Sequence, residues 1–388
     1  MNSDPRWLRD GYSEKWHRFS EEVLPLWVAD MDYPLAEEIR SALIRRLDFR
    51  LGYGLQGGDP RLKEAIAGWL QRRQAWSVSP DQMWLNSSVV GGLHAASLGL
   101  CSAGEEILCL TPIYPPFMSA IASHGRVPKY SALVWGGNAA GYRIDFDHLR
   151  AQISPATRLL MLCSPHNPSG RVWSRAELEG LADLALRNRL WIVSDELHAD
   201  LIFEGTHLPI ADLSEEVAER TVTLTGPGKS FNIPGLAIGV AISRNRQLLE
   251  RLKQASTGLL GGPNVLAQEA MLAAYTRGEP WLAGVLETLR HNRERLGTWI
   301  ATHLPEAAYH PPEGTYLAWL GLEQLKLPCE PGKFLLEQGL VAFNEGSSFG
   351  PGGEGHVRIN LATQPQILDR ALSRALQALS PLRGEYPA

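Results

Sequence analysis

Five short runs, at residues 105–110, 158–163, 189–194, 221–225 and 236–243, are apolar on consecutive rather than alternate positions. A strand that buries only one face alternates apolar and polar residues. A strand covered on both faces reads as an unbroken apolar run. These runs therefore predict the interior strands of a sheet with helices on both sides, and the segments between them supply helices. Residues 35–47 show helical period. Residues 59–73 predict a clearer helix, with Asp59 at the N-cap, Pro60 in the first turn, and Leu62, Ala65, Ile66, Trp69 and Leu70 on one face. Ser174 and Glu177 form a capping-box pattern that opens a helix running to about residue 188.

With 388 residues the chain exceeds what one core usually serves, so two domains are expected. The α/β pattern, with a largely parallel sheet, covers residues 46–280. Residues 281–388 read differently: a helix near 282–302, a strand-like YLAWL, a helix near 331–338, a strand-like VRINLA and a closing helix near 366–379. These predict a smaller α+β domain, with residues 1–45 packing against it. The formal net charge of −5 is spread without long single-sign runs, which argues against a nucleic-acid or anionic-membrane surface. No stretch reaches about eighteen consecutive apolar residues, and Asp4, Arg6, Arg9 and Asp10 stand where a signal peptide needs an apolar core, so a cytoplasmic location is expected. Cys101, Cys109, Cys163 and Cys329 form no C-x-x-C pair and sit at no zinc-ligand spacing; reduced thiols and no metal are expected.

Chemistry concentrates where the apolar runs stop. In open α/β sheets, ligands bind beyond the carboxyl ends of strands. Four runs end there in polar residues: 158–163 leads to Asn167, 189–194 to Asp195, Glu196 and His198, 221–225 to Lys229, and 105–110 to Tyr114. An amine, a carboxylate, an amide and an aromatic ring at one rim is the set that pyridoxal 5′-phosphate (PLP) requires. The lysine condenses with the aldehyde, the acid pairs with the ring nitrogen, the amide donates to the phenolic oxygen, and the aromatic stacks on the ring. His198 lies within reach of the same phenolic oxygen. A phosphate needs backbone N–H groups at a helix start, and Asn86-Ser87-Ser88-Val89-Val90-Gly91-Gly92, ahead of HAASLGL, offers a small-residue turn for it.

SPHNPSG, SDELHADLIF and GKSFNIPGL, in this order and spacing, resemble the class I/II aminotransferases of PLP fold type I. LPLWVADMDYP, TPIYPPF and EGTYLAWL narrow the resemblance to the cystathionine β-lyase group, the MalY/PatB-type C–S lyases, over residues 20–365. The resemblance implies Lys229 as Schiff-base lysine and proton shuttle, with Tyr114 stacking on the ring and assisting proton transfer. It implies Asp195 at the pyridine nitrogen, Asn167 and His198 at the phenolic oxygen, and the Val89–Val90 backbone at the phosphate. Tyr53 would reach the phosphate of a neighbouring subunit, which implies a homodimer. Arg358, in HVRINLAT, would clamp the substrate α-carboxylate, with Asp30 and Tyr316 also on the substrate side. One departure stands out. The family usually has a serine before the lysine; this chain has Gly228 there and Gly226 two residues earlier, leaving Thr225 or backbone amides to hold the phosphate.

Two other motifs carry little. Residues 52–57, Gly-Tyr-Gly-Leu-Gln-Gly, match G-x-G-x-x-G but follow a helical run instead of a strand, and Gly228-Lys229-Ser230 has Thr223 where a P-loop needs its first glycine. His94, His124 and His310 are isolated, with packed or solvated roles. The expected activity is β-elimination from cystathionine, cysteine or S-substituted cysteines, giving pyruvate, ammonia and a thiol. The alternatives are a PLP-dependent aminotransferase acting on an amino acid, and a PLP-binding protein whose work is regulatory contact with a partner.

Overall fold

In the computed structural model, residues 5–55 and 57–383 are described; Asp4 of the charged N-terminus and Gln56 of the glycine motif lie outside them. We number the strands of the two principal sheets and the helices of eight or more residues. The larger sheet comprises β1 (Met83–Asn86), β2 (Glu106–Thr111), β3 (Val127–Ala132), β4 (Thr157–Cys163), β5 (Trp191–Asp195), β6 (Thr221–Thr225) and β7 (Gly239–Ile242), in the spatial order β1-β7-β6-β5-β4-β2-β3. The pairs from β6 through β5, β4 and β2 to β3 are parallel, while β7 runs antiparallel to both β6 and β1. All five apolar runs are strands of this sheet, and their interior residues are almost wholly buried. The reversal at β7 has a simple cause. Residues 226–238 contain only a short 3-10 turn, and a parallel return needs a crossover of about a dozen residues or more, usually helical.

The helices are α1 (Glu37–Leu47), α2 (Pro60–Gln74), α3 (Val89–Leu100), α4 (Pro115–Ala122), α5 (Arg175–Arg187), α6 (Arg246–Ala255), α7 (Val265–Arg277), α8 (Glu279–His303), α9 (Pro331–Gly339) and α10 (Pro365–Leu379). Asp59 caps α2 by accepting from the Arg61 N–H, and Ser174 with Glu177 forms a reciprocal capping box at α5, as their sequences predict. Helix α3 packs tightly on the sheet: a Cβ at Gly92 would stand 2.9 Å from a methyl of Leu224 of β6, so a larger residue there would have to push that side chain aside.

A second, four-stranded antiparallel sheet holds β8 (Ala308–Tyr309), β9 (Leu317–Gly321), β10 (Asn344–Glu345) and β11 (His356–Asn360), ordered β8-β9-β11-β10. One core joins β9 and β11 to Leu296 and Ile300 of α8, Leu335 of α9 and Leu368 and Leu372 of α10. Leu24 and Leu26 enter that same core, and residues 24–25 pair with residues 341–342. Ala36, Ile39 and Ala42, by contrast, pack with Trp69, Met271 and Tyr275 of the larger unit. The boundary expected at residues 45/46 therefore falls inside α1, and the packing divides the N-terminus earlier, between Leu26 of the smaller core and Ala29 of the larger. Helix α8 spans the two units: Leu282, Val285 and Leu289 lie in the larger core, and Leu296 and Ile300 in the smaller.

Beyond Leu26, residues 27–33 run as a strap that bends at residues 28–29 and 32–33, with Ala29, Met31 and Tyr33 buried in the larger core. The pair Lys15–Asp32, 2.8 Å apart with side chains only 1% and 2% exposed, holds it, and Trp16 donates from Nε1 to Asp32 at 2.7 Å. Removing one partner of a buried ion pair leaves an uncompensated charge, which costs about 3–5 kcal/mol. Lys15→Met should therefore lower the apparent melting temperature by several degrees. Arg150→Met, which breaks the exposed pair with Asp147, serves as control and should leave it nearly unchanged. Equal melting of the two variants would count against the strap anchor.

Candidate active site

Asp195 is the last residue of β5, and Lys229, Asn167 and Tyr114 follow β6, β4 and β2; the four strands are consecutive neighbours in the sheet. Because those strands are parallel, their carboxyl ends share one edge, and the four residues line one cavity of about 310 Å³. That volume falls at the lower end of the range for small-ligand pockets, about 300–1,000 Å³. Ser87, Ser88, Val89 and Val90 at the start of α3 line the same cavity, as do His198, Gly228 and Ala29.

Burial governs the charges. Lys229 is pushed down to about 8, first by desolvation and then by the nearby Arg358, with Asp30 and Asp195 pulling it back up. An amine near 8 keeps a useful nucleophilic fraction at neutral pH. Its Nζ donates to the carbonyl of Ala29 at 2.6 Å, and the Tyr316 hydroxyl donates to the same oxygen at 3.0 Å. Desolvation raises the Asp195 carboxyl to about 7, against a 3.1 Å hydrogen bond from the Leu197 N–H and the charge of Lys229. The neighbouring Glu196 turns away, accepting from Ser194 at 2.8 Å and pairing with His207 at 2.9 Å. His198 lies well below the usual histidine range through burial, then through Lys229 and Arg358, so it stands as a neutral imidazole.

Arg358, on β11, is only 4% exposed. Its Nη1 donates to Asn167 Oδ1 at 3.0 Å, and its Nη2 to the Trp27 carbonyl at 3.1 Å and Asn344 Oδ1 at 2.6 Å. Taking up the amide oxygen leaves the NH2 of Asn167 as the end free to donate to a ligand. Nε of Arg358 is buried without a partner, so the guanidinium retains a donor for a carboxylate.

The strap passes over this edge. Asn360 Nδ2 donates to the carbonyls of Val28 and Asp30, each at 2.7 Å, and Lys15 Nζ donates to the Asp30 carbonyl at 3.0 Å. Asn232, three residues past Lys229, brackets Met31 with two 2.9 Å hydrogen bonds, one to its carbonyl and one from its N–H. Sequence reasoning missed Asn232, Asn344 and Asn360, whose partners lie far along the chain and leave no local pattern; Asn232 and Asn360 stand inside quoted motifs, GKSFNIPGL and HVRINLAT, and Asn344 stands in none.

Five expected residues do not line this cavity: Arg358 and Tyr316 reach it through Asn167 and the Ala29 carbonyl, Asp30 belongs to the strap, and Thr225 and Tyr53 lie elsewhere. Thr225 is buried but lines no part of the cavity, and its hydroxyl donates to the Glu196 carbonyl at 3.4 Å. Tyr53 is fully exposed and borders a different hollow of about 940 Å³, beside Lys63, Lys253 and Gln268. Ser230, the last residue of the Gly-Lys-Ser triplet, donates to the buried Asp200 at 2.7 Å, and no α-helix follows it. The four cysteines are free, and among the described residues no metal-ligating cluster exists.

The donor set fits PLP. His198 Nδ1 is buried with no partner beside the cavity. At the start of α3 the Ser88 N–H is taken by Asn86 Oδ1 at 3.0 Å and the Gly91 N–H by the Ser88 hydroxyl at 3.0 Å. The amides of Val89 and Val90, first in the helix, have no intrahelical acceptor and stay available to an anion. In the cofactor-free chain, the rate at which Lys229 condenses with PLP should rise with pH through a midpoint near 8 and then level, because the neutral amine is the nucleophile. Stopped-flow absorbance measures this, and a midpoint above 10 would contradict the burial argument.

Comparison with known proteins agrees with this geometry. The cystathionine beta-lyase PatB of Bacillus subtilis is 36% identical over 98% of this chain and 100% of its own length. The PLP-containing crystal structure of cystalysin from Treponema denticola superposes with a TM-score of 0.92 at 30% identity, covering 98% of each chain. A PLP-bound putative aminotransferase from Clostridium difficile gives 0.91 at 33% identity, covering 95% of this chain and 97% of that one. Residues 21–374 match the model of the aminotransferase class I and II family, and the chain belongs to that family.

Proposed function

We propose that this chain is a PLP-dependent C–S β-lyase that splits cystathionine, cysteine or S-substituted cysteines into pyruvate, ammonia and a thiol. The observation that carries the reading is the meeting of a buried lysine and a buried carboxylate at one strand edge of the larger sheet with a buried arginine of the smaller sheet, which bonds Asn167 at that edge. The similarity to PatB and cystalysin along nearly the whole chain supports elimination as the outcome.

When bound, PLP supplies an aldehyde for the amine and an electron sink for charge released at the substrate α-carbon. Lys229 holds the cofactor and, when its amine is free, takes the α-proton; an amine near 8 does this without a strong external base. Arg358 grips the α-carboxylate, with Tyr316 and Asp30 on the same side. Asp195 keeps a positive charge at the ring nitrogen, the Asn167 amide and His198 address the phenolic oxygen, and Tyr114 faces the ring. The amides of Val89 and Val90 bind the phosphate. A substrate with a thiolate on its β-carbon then loses that group as the C–S bond breaks, and water completes the conversion to pyruvate and ammonia. The same residues serve transamination, so the substrate's leaving group and the fate of the proton choose the branch.

The functional unit is a homodimer in the cytoplasm. Leu47, Phe49, Leu51, Tyr53 and Leu55 stand exposed together, an apolar stretch that a second copy would cover, bringing Tyr53 to the neighbour's phosphate. Among the described residues no helix is long and apolar enough to cross a membrane.

Purified protein given cystathionine and no keto acid should release pyruvate, measured by a coupled dehydrogenase; turnover only with an added keto acid would favour the aminotransferase reading. Lys229→Ala should abolish the visible absorption of lysine-bound cofactor, and a retained band would place the cofactor on another lysine. Arg358→Ala should lower kcat/KM by about tenfold or more, as expected for a charge-assisted two-pronged contact. An unchanged value would remove Arg358 from the site.

A further inference from the structure

We infer that the Ser87 hydroxyl holds the cofactor phosphate in this chain, replacing the hydroxyl missing at position 228; the inference rests on the PLP reading above. Gly228 lines the cavity without a side chain. Sterics do not forbid one, since an added Cβ would meet nothing nearer than Pro234 Cα at 3.7 Å. Gly226 differs, because a Cβ there would press to 3.0 Å from the Ile238 carbonyl oxygen. Thr225, the remaining hydroxyl on that loop, points at Glu196 and is spent.

At the start of α3 the situation reverses. Ser87 and Ser88 both line the cavity there. The Ser88 oxygen caps the helix by accepting from Gly91. Ser87 is half-buried, its N–H donates to the Gly261 carbonyl at 3.0 Å, and its hydroxyl makes no hydrogen bond among the described residues. A free hydroxyl beside the unpaired amides of Val89 and Val90 adds a side-chain donor to a backbone anion cradle. His198, 5% exposed with an unpartnered Nδ1, lines the same cavity, so a second buried donor without a partner awaits the same ligand.

The test is cofactor affinity, read by titrating the cofactor-free chain with PLP and following the visible band. A hydrogen bond to a charged group is worth roughly tenfold or more in affinity. Ser87→Ala should weaken PLP binding by about that factor while leaving condensation with pyridoxal, which has no phosphate, unchanged. Gly228→Ser added to Ser87→Ala should restore most of the loss. Ser87→Thr and Ser87→Val, nearly equal in shape, give a second comparison that survives any folding defect of the alanine variant: threonine should bind PLP about tenfold or more tightly than valine. Unchanged PLP affinity in Ser87→Ala, equal weakening toward PLP and pyridoxal, or equal binding by the threonine and valine variants would each overturn the assignment. A wild-type chain forming no visible band at all would instead overturn the cofactor reading.

Discussion

The site depends on charges kept out of water without ion partners of their own. Lys229, Asp195 and Arg358 are buried, and desolvation is the leading cause of each shift toward neutrality. What steadies them is mostly uncharged: the Ala29 and Trp27 carbonyls, the Asn167 and Asn344 amide oxygens and the Leu197 N–H. Dipoles satisfy hydrogen-bonding capacity at less than the full Coulomb energy of an ion pair, so the cleft stays electrostatically unfinished. A ligand carrying an aldehyde, a basic ring nitrogen and a phosphate, followed by one carrying a carboxylate, completes it. The unfinished state is the source of binding energy, and the packing of two cores around it meets the cost.

The strap over residues 27–33 makes that state mechanically possible. Its carbonyls accept from Lys229, Tyr316, Asn360, Arg358 and Lys15, groups drawn from both units and from the N-terminal segment. One backbone segment therefore fixes the amine of the larger unit relative to the arginine of the smaller. Lys229 and Tyr316 meet at a single carbonyl oxygen, so displacing the amine from Ala29 frees a lone pair that Tyr316 already shares. Arg358 contacts Asn167 directly, which ties the carboxylate-binding end to the amide facing the ring.

Much of this was legible before any coordinates. Interior strands announce themselves because burial on both faces demands unbroken apolar residues, and Asp59 and Ser174 announce helix starts because their side chains replace missing acceptors. The edge strands β1 and β3 do not: β3 carries Pro128 and Lys129 and is partly exposed, so its pattern matches neither period. Strand direction is likewise invisible in the run at residues 236–243 and emerges only from the missing crossover helix. In the site, Lys229, Asp195, Asn167 and Tyr114 were readable as polar residues directly after apolar runs. Arg358 sits inside a strand and was readable only by resemblance. The strap's carbonyls belong to the backbone, which every residue shares, so no residue type marks them.

Asp195 shows why geometry and charge must be considered together. A buried carboxyl near 7 takes a proton readily at neutrality, and a protonated acid holds a ring cation poorly. Two features tip it the other way, against desolvation and the charge of Glu196: the Leu197 N–H stabilises the carboxylate, and Lys229 adds a positive charge. A basic ring nitrogen beside the carboxylate would titrate with it as a coupled pair: the ring cation lowers the carboxyl by as much as the carboxylate raises the nitrogen. The backbone hydrogen bond at Leu197 thus acts two groups away: by favouring the anion, it favours the cationic ring that draws electrons from the α-carbon.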